Sequence, residues 1–475
     1  MNSLLNVTIV PAALAIICLL LPKAGAIRSI FALCSWLQLG VVVYVLQPVL
    51  CGTQTELPIT PDLTLSRLGS YFVIATNAAM ACCLTQAVFY FEQDAQKDDI
   101  WQMKLFYLCS CLFQISMTAI YFCNNLGFLW ICIESATLSS APLVYFNRDK
   151  NALEATWKYL IICSVGIAFA LLGTIFIFAS SQSGNCGEGS LNLTDLMNCA
   201  NGLNFPLLRL GFIFCVIGYG TKAGMFPLHN WLPDTYSESP APASAMLSGA
   251  FLNCALFGIW RVAELVNAAG HHLMVFQTMA TLGAITALFG SLFLLRQHSL
   301  KRMWAYSSIE NVGIIFVAIS LGSAGLFFLQ ALNHSIAKVA LFLLSGNITQ
   351  ASRTQRLKSL HGILQAAPGW GALLALSSLA ICGLPPFGSF VSEISILSES
   401  FNNSGGYAVV FTLLTAVSIS FVAIAIHVGR VLVGVPRADF KKFNPLGTSV
   451  MPALLVIASL ILGVTIRPEF MAVLK

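Results

Sequence analysis

The sequence reads as an all-α membrane protein of about fourteen transmembrane helices, and three observations lead there. Hydrophobic residues make up 57% of the 475 residues and charged residues only 9%. An ordinary soluble domain carries about 25% charge, so a soluble chain of this length would have too little polar surface. The apolar residues also fall into runs long enough for the ~20 residues that a bilayer span needs. Finally, lysine and arginine are strongly biased between alternate loops. A soluble enzyme, a nucleic-acid binder and a secreted disulfide scaffold are all excluded. The net charge of +5 is scattered over loops, so it makes no nucleic-acid footprint.

The runs lie at about 5–22, 29–50, 69–91, 103–122, 124–146, 159–180, 206–235, 242–263, 272–295, 303–321, 324–346, 369–400, 407–433 and 449–466. They form a single polytopic membrane domain over 1–475. The first run follows Met1-Asn2-Ser3-Leu4-Leu5-Asn6, which has no basic segment. No small-residue cleavage site comes after it, so it is expected to be a retained span rather than a signal peptide.

The seventh and twelfth runs are too long for one span and contain prolines. Residues 225–233 read Met-Phe-Pro-Leu-His-Asn-Trp-Leu-Pro, and 383–388 read Gly-Leu-Pro-Pro-Phe-Gly. Proline removes a backbone hydrogen bond and kinks or breaks a helix. In lipid such a break needs protein or a wet cavity to satisfy the freed groups. The seventh run is fourth in a block of runs four to eight, and the twelfth is fourth in a block of runs nine to thirteen. Matching interruptions point to two inverted five-helix repeats, about 103–263 and 272–433, with broken helices 7 and 12. Two unrelated proline kinks are the plainer alternative.

Loops after odd-numbered runs hold Lys23, Arg28, Lys97, Lys104, Arg148, Lys150, Lys158, Arg296, Lys301, Arg302, Arg353, Arg356, Lys358, Arg430, Arg437, Lys441 and Lys442. Loops after even-numbered runs hold Arg67, Arg209 and Arg261. The positive-inside rule puts the first set in the cytoplasm and both termini outside. A bacterial inner membrane is the expected location. Loop 181–205 then falls outside, where a disulfide between Cys186 and Cys199 is chemically allowed. The remaining cysteines look structural. No Cys-x-x-Cys pair exists, so iron–sulfur, zinc and haem attachment find no support and no cofactor or metal is expected.

A charge at the bilayer centre costs at least ~2.5–3.5 kcal/mol on insertion scales, so each one needs a reason. Glu134 lies midway along run five, in Phe128-Leu129-Trp130-Ile131-Cys132-Ile133-Glu134. Lys222 lies five residues before Pro227, and Glu310 lies in run ten. Lys338 follows His334 by four residues in run eleven, on the same helix face. Glu393 follows the Pro385-Pro386 break. A structural ion pair is the plainer reading of any one of these. Five together, several beside helix breaks, with His229 and His334 near, favour proton transfer. Desolvation disfavours the charged form of lysine and of a carboxylate, which brings both toward exchange near neutral pH. His229 by itself is ambiguous, since a histidine beside a proline break can simply plug freed carbonyls.

Two motifs carry no weight. Gly218-Tyr219-Gly220 is a potassium-filter triplet, but it occurs once, inside a helix-length run, with Lys222 following. Gly220-Thr221-Lys222 lacks the spacing of a phosphate loop.

The segments Gly218-Tyr219-Gly220-Thr221-Lys222-Ala223-Gly224 and Pro227-Leu228-His229-Asn230-Trp231-Leu232-Pro233-Asp234 resemble the seventh span of a known family. These are the proton-conducting antiporter-like subunits of respiratory complex I, Mrp-type cation/proton antiporters and membrane-bound hydrogenases. The resemblance covers nearly the whole chain, most clearly from about 120 to 400. Within the family, the component F branch of hydrogenase 4 is nearest. Asn124-Asn125-Leu126-Gly127, Glu154-Ala155-Thr156-Trp157-Lys158-Tyr159, Ala305-Tyr306-Ser307-Ser308-Ile309-Glu310-Asn311 and Asn333-His334-Ser335-Ile336-Ala337-Lys338 point there.

The resemblance implies a fold of fourteen helices with two inverted repeats. It implies that Glu134 pairs with Lys222, that His334 and Lys338 form an eleventh-span relay, and that Glu393 is the twelfth-span exit residue. Many relatives carry a lysine in span eight where this chain has Asn253, in Phe251-Leu252-Asn253-Cys254. An asparagine cannot carry the proton but can hold a water, so the central relay is expected to run through water there, or from Lys222 toward His334 and Lys338 by another path.

The chain ends within ten residues of its last run, so no long lateral helix is expected. The leading expectation is a proton- or sodium-translocating subunit of a hydrogenase or NADH:quinone oxidoreductase-like complex. Its partners would be other membrane subunits and the lipid bilayer, with no nucleic acid, and its electron carriers would lie on partners. An Mrp-type antiporter subunit, an energy-coupling subunit for inorganic-carbon uptake and a structural anchor are the competing expectations.

Overall fold

A computed structural model describes residues 2–21, 23–54, 56–92, 99–184, 189–403, 405–436, 440 and 445–465. The chain is built almost wholly of helices. In order they are α1 (Asn2–Leu20), α2 (Ala24–Leu50), α3 (Arg67–Glu92), α4 (Ile100–Phe122), α5 (Leu126–Val144), α6 (Lys150–Gln182), α7 (Leu193–Asn198), α8 (Phe205–Ala223), α9 (Trp231–Glu238) and α10 (Ala241–Met246). Then come α11 (Leu252–Ala268), α12 (His272–Leu294), α13 (Leu300–Ser320), α14 (Ala324–Ser352), α15 (Ile363–Ala366), α16 (Pro368–Ile381), α17 (Gly388–Phe401), α18 (Gly406–Leu432) and α19 (Pro445–Thr465).

Twelve helices among the described residues are long and apolar enough to cross a membrane. The two other apolar runs are α1, whose apolar stretch is Val7–Ile17, and the twelfth run. The latter is divided into α16 and α17, of 14 residues each, around Cys382–Phe387. The seventh run is likewise divided into α8 and α9. Polar caps mark several starts: Asp99 accepts from Trp101 N–H, Asn125 from Gly127 and Phe128 N–H, and Asp149 from Ala152 N–H. Each satisfies an orphan donor of a first helical turn.

Between lipid and protein there is little hydrophobic driving force, so close packing must hold the helices together. Glycines supply it. A Cβ on Gly166 would lie 2.7 Å from Thr221 Cβ, and one on Gly211 would lie 2.7 Å from Ile177 Cγ1, so α6 and α8 pack backbone to backbone. Gly283, Gly290 and Gly313 do the same between α12 and α13. The buried centre is α11, α13 and α14, which other helices cover on nearly every side. At the rim, Leu33, Tyr44 and Phe411 are each more than 70% exposed, as lipid-facing side chains are.

Two features lie outside the helix count. An antiparallel hairpin, β1 (Glu56–Thr60) with β2 (Leu63–Ser66), pairs Glu56 with Ser66 and Leu57 with Leu65. Its turn is gripped by the start of α5: Asn124 N–H donates to the Asp62 carbonyl at 2.8 Å, and Asn125 Nδ2 to Asp62 Oδ1 at 3.0 Å. Asn125 also reaches Asn192 Oδ1 at 2.9 Å, tying in the segment around α7. Cys199 in that segment is disulfide-bonded. Cys186, Lys97, Arg437, Lys441 and Lys442 lie outside the described residues.

Candidate functional site

The first cluster of buried charge joins α5 and α8. Lys222 is 0% exposed and sits in the last turn of α8, where a cation suits the helix dipole. Its ammonium has three donors. They meet Glu134 Oε2 at 2.7 Å, the Ile133 carbonyl at 3.4 Å, and Thr137 Oγ1. Glu134 Oε1 accepts from Ser164 Oγ of α6 at 3.1 Å. The structure thus brings Glu134 and Lys222 together as a direct ion pair.

Just beyond Lys222 the helix stops. Gly224 has φ 81°, a left-handed conformation natural to glycine, and Leu232 fills the space a side chain would need. Trp231 Nε1 donates to the Thr221 carbonyl at 2.9 Å, which also accepts from Gly224 N–H at 3.2 Å. His229 is 4% exposed, hydrogen-bonds the Pro227 backbone, and packs among the rings of Phe226, Phe293 and Tyr306. Both interactions serve the interruption itself. α9 is then fastened in its first turn and just past its last. Asp234 pairs with Lys158 of α6 at 3.0 Å and Arg302 of α13 at 2.8 Å, and Lys301 donates to the Ser239 carbonyl at 2.7 Å.

Asn253 occupies the middle of the molecule. A wide turn spans Leu247–Phe251 between α10 and α11, with Leu252 N–H donating to the Leu247 carbonyl five residues back. Such one-turn widenings inside helices recur at functional sites. Asn253 Nδ2 donates to Ser335 Oγ of α14 at 2.7 Å, and Ser248 Oγ hydrogen-bonds Ser308 Oγ of α13 at 3.0 Å. Phe251, within the same turn, faces the Lys222 ammonium at 6.0 Å.

The second cluster joins α13, α14, α17 and α18. Lys338 donates to the Trp304 carbonyl at 2.8 Å. Glu310 Oε2 accepts from Ser420 Oγ at 3.0 Å and Asn311 Nδ2 at 3.4 Å. Gln330 donates to Asn311 Oδ1 at 3.2 Å, accepts from Ser392 Oγ at 2.5 Å and hydrogen-bonds Glu393. Asn333 Nδ2 reaches Ser392 Oγ at 3.2 Å. Lys338 and Glu393 each lie within electrostatic reach of Glu310, and Cys382 feels all three. Gly383, φ 65°, leaves the space that the Glu393 carboxylate occupies.

Several buried polar atoms between the clusters have no protein hydrogen-bond partner. They are both ring nitrogens of His334, Asn253 Oδ1, Asn333 Oδ1, Ser307 Oγ, Tyr219 OH and Tyr236 OH. Native interiors rarely leave such groups unpaired, and ordered water is their usual partner. The sequence singled out the ionisable residues and Asn253. It did not single out Thr137, Ser164, Asn311, Gln330, Ser335, Ser392 or Ser420, which hold them. Gln330 carried a signal, for Gln330, His334 and Lys338 are spaced four apart on one face of α14.

Comparison with known proteins gives the family and the fold. The family described as NADH:quinone oxidoreductase/Mrp antiporter, transmembrane, matches residues 123–420. The chain is 42% identical over 332 residues to the hydrogenase-4 component F homolog of Methylacidiphilum infernorum, covering 68% of each chain. It is 27% identical over 438 residues to hydrogenase-4 component B of Escherichia coli, covering 86% of this chain and 63% of that one. The fold matches a chain of the archaeal membrane-bound sulfane sulfur reductase with TM-score 0.85 at 20% identity, covering 99% of this chain and 96% of that one. It matches a chain of the Mrp complex of Dietzia equally, with TM-score 0.85 at 16% identity and the same coverage. The chain belongs to the NADH:quinone oxidoreductase/Mrp antiporter family of proton-translocating, antiporter-like membrane subunits.

Proposed function

We propose that this chain carries protons across a bacterial inner membrane as one subunit of a hydrogenase-type redox complex, with other membrane subunits as its partners. The observation that carries this reading is the buried Glu134–Lys222 pair, 2.7 Å apart, beside the end of α8. Separating the pair leaves a lysine without its counter-charge in a dry site, which favours release of its proton. That proton needs a path, and the unpaired polar atoms around Asn253 and His334 supply sites for water. Lys338, Glu310 and Glu393 would receive it in the second cluster, with Glu393 toward the exit. His229 is assigned to the path beside Lys222. Electrons would pass through carriers on partner subunits. The 42% identity to a hydrogenase-4 component F homolog supports this parent complex over an Mrp-type one.

The same reading has fourteen crossings in two inverted repeats, about 103–263 and 272–433, interrupted at 224–230 and 382–387. Both termini lie opposite the lysine-rich side. The disulfide-bonded Cys199 supports that orientation, since its segment then faces the oxidising side. The test is proton translocation by the assembled complex in proteoliposomes. Lys222→Met is expected to abolish it while the complex still assembles. Full translocation by that variant overturns the reading.

A further inference from the structure

We propose that a basic pocket at the lysine-rich end of α12 and α18 binds the phosphate headgroup of an anionic phospholipid. Its lining joins three parts of the chain. Leu295, Arg296, Gln297 and His298 follow α12, Leu357 and Lys358 lie between α14 and α15, and His427 and Arg430 lie in the last two turns of α18. The cavity is about 310 Å³. Five basic side chains face it and no carboxylate lines it.

Other cations at that end, such as Lys150, Arg353 and Arg356, also have no carboxylate within 4.0 Å among the described residues, but they share no concavity, and several neighbours are paired. Arg148, Lys158 and Arg302 each have a carboxylate within 4.0 Å, and Lys301 is capped by two backbone carbonyls. Arg296, Lys358 and Arg430 have no such partner among the described residues. The positive-inside bias explains the sign of these residues. It does not explain why three unpaired cations converge on one concavity. Like charges held together are unfavourable unless an anion joins them.

Geometry selects the kind of anion. His427 lies against the backbone at Leu294 and Leu295, so the pocket floor joins α12 and α18. The seam opens to lipid: Leu292, Leu295, Val422 and Ile426 are all between 41% and 49% exposed. A ligand with phosphate at one end and acyl chains at the other fits both halves. Basic pockets between transmembrane helices at the membrane surface suit such headgroups, and arginine forks match phosphate oxygens.

The experiment uses the intact complex, stripped of lipid and returned to nanodiscs of phosphatidylcholine with added phosphatidylglycerol or cardiolipin. Lipid retained per complex is read by mass spectrometry. Anionic lipid is expected to be retained over phosphatidylcholine, and each of Arg296→Gln, Lys358→Gln and Arg430→Gln to weaken retention about fivefold. Lys150→Gln, outside the pocket, is expected to change nothing. Unchanged thermal unfolding shows that the variants fold. Equal retention by the pocket variants and wild type overturns the proposal. So does full displacement of the lipid by millimolar inorganic phosphate, which would make this a site for a free anion. Cross-linking of residue 298 as cysteine to a neighbouring subunit's acidic segment would also overturn it.

Discussion

Lys222 spends every donor it has on α5, and that fixes what its neighbours are worth. Losing Glu134 alone would leave a fully buried ammonium with only neutral partners, a change worth about 3–5 kcal/mol in buried pairs. Glu134→Gln is therefore expected to lower the melting temperature of the complex as well as proton movement. The double variant Glu134→Gln/Lys222→Met removes both charges and is expected to recover most of that stability with no recovery of proton translocation. Recovery of both would mean the pair is a fastener and nothing more. Gln330 offers a subtler test in the second cluster. Gln330→Leu strands the Asn311 Oδ1 acceptor, at about 1–3 kcal/mol for an unsatisfied buried group, while Ser392 Oγ keeps Asn333 Nδ2 and the Ser389 carbonyl. Translocation is expected to slow and its pH profile to shift, because the hydrogen-bonded chain from Glu310 through Asn311 and Gln330 to Ser392 is cut. An unchanged profile in proteoliposomes would count against that bridge. The ionisable residues were legible in the sequence because a charge in a long apolar run is costly wherever it points. Gln330, Ser392 and Ser420 were not, since a serine or an amide in a helix more often bonds its own backbone, as Ser378 bonds the Leu374 carbonyl at 2.6 Å.

Most helices were legible because length and apolarity set them almost without competition, and most ends moved by only a few residues, although α6 begins nine residues before its run and α14 ends six after. The β1–β2 hairpin was missed, for Glu56-Leu57-Pro58-Ile59-Thr60 contains a proline and its pairing depends on α5 gripping the turn. The wide turn at Leu247–Phe251 was missed too, since its residues are as apolar as their neighbours. Glycine contacts yield the sharpest expectation for these elements. A Cβ on Gly290 would sit 2.6 Å from the Glu310 backbone nitrogen and 2.9 Å from its Cα. Gly290→Ala must push α13 from α12, and overpacking of this kind costs about 1–3 kcal/mol. Both thermal stability and translocation are expected to fall. Gly429→Ala, with nothing within 4 Å, is the control and is expected to leave both unchanged. At Gly383 the outcome differs, for an added methyl collides with the Glu393 carboxylate rather than with backbone. Gly383→Ala is expected to impair translocation more than stability.

The assembled chain puts the Arg148, Lys158 and Arg302 pairs at one end, the disulfide-bonded Cys199 at the other and its buried ionisable groups between. Cys51, exposed after α2, provides a native probe of that polarity. In intact cells a membrane-impermeant maleimide is expected to label Cys51 without permeabilisation. A cysteine placed at Arg353 is expected to react only in inside-out vesicles. The reverse pattern would invert the orientation and with it the direction of proton movement. Asp234 matters here as well, since it ties α6 of the first half to α13 of the second through one carboxylate. A displacement of α9 therefore cannot stay local.

The wide turn before Asn253 has a consequence in register. A residue accommodated in excess of regular helical winding rotates everything after it by about 100° relative to an uninterrupted α-helix. Deleting Ala250 would let the helix close to ordinary winding and swing Asn253 off Ser335, although no residue that touches a charge had been altered. The same helix could thus be switched between two azimuths by a single codon, or by migration of the bulge along its axis. In that sense the turn is a phase setting: it fixes which side chain of α11 the centre of the molecule is offered.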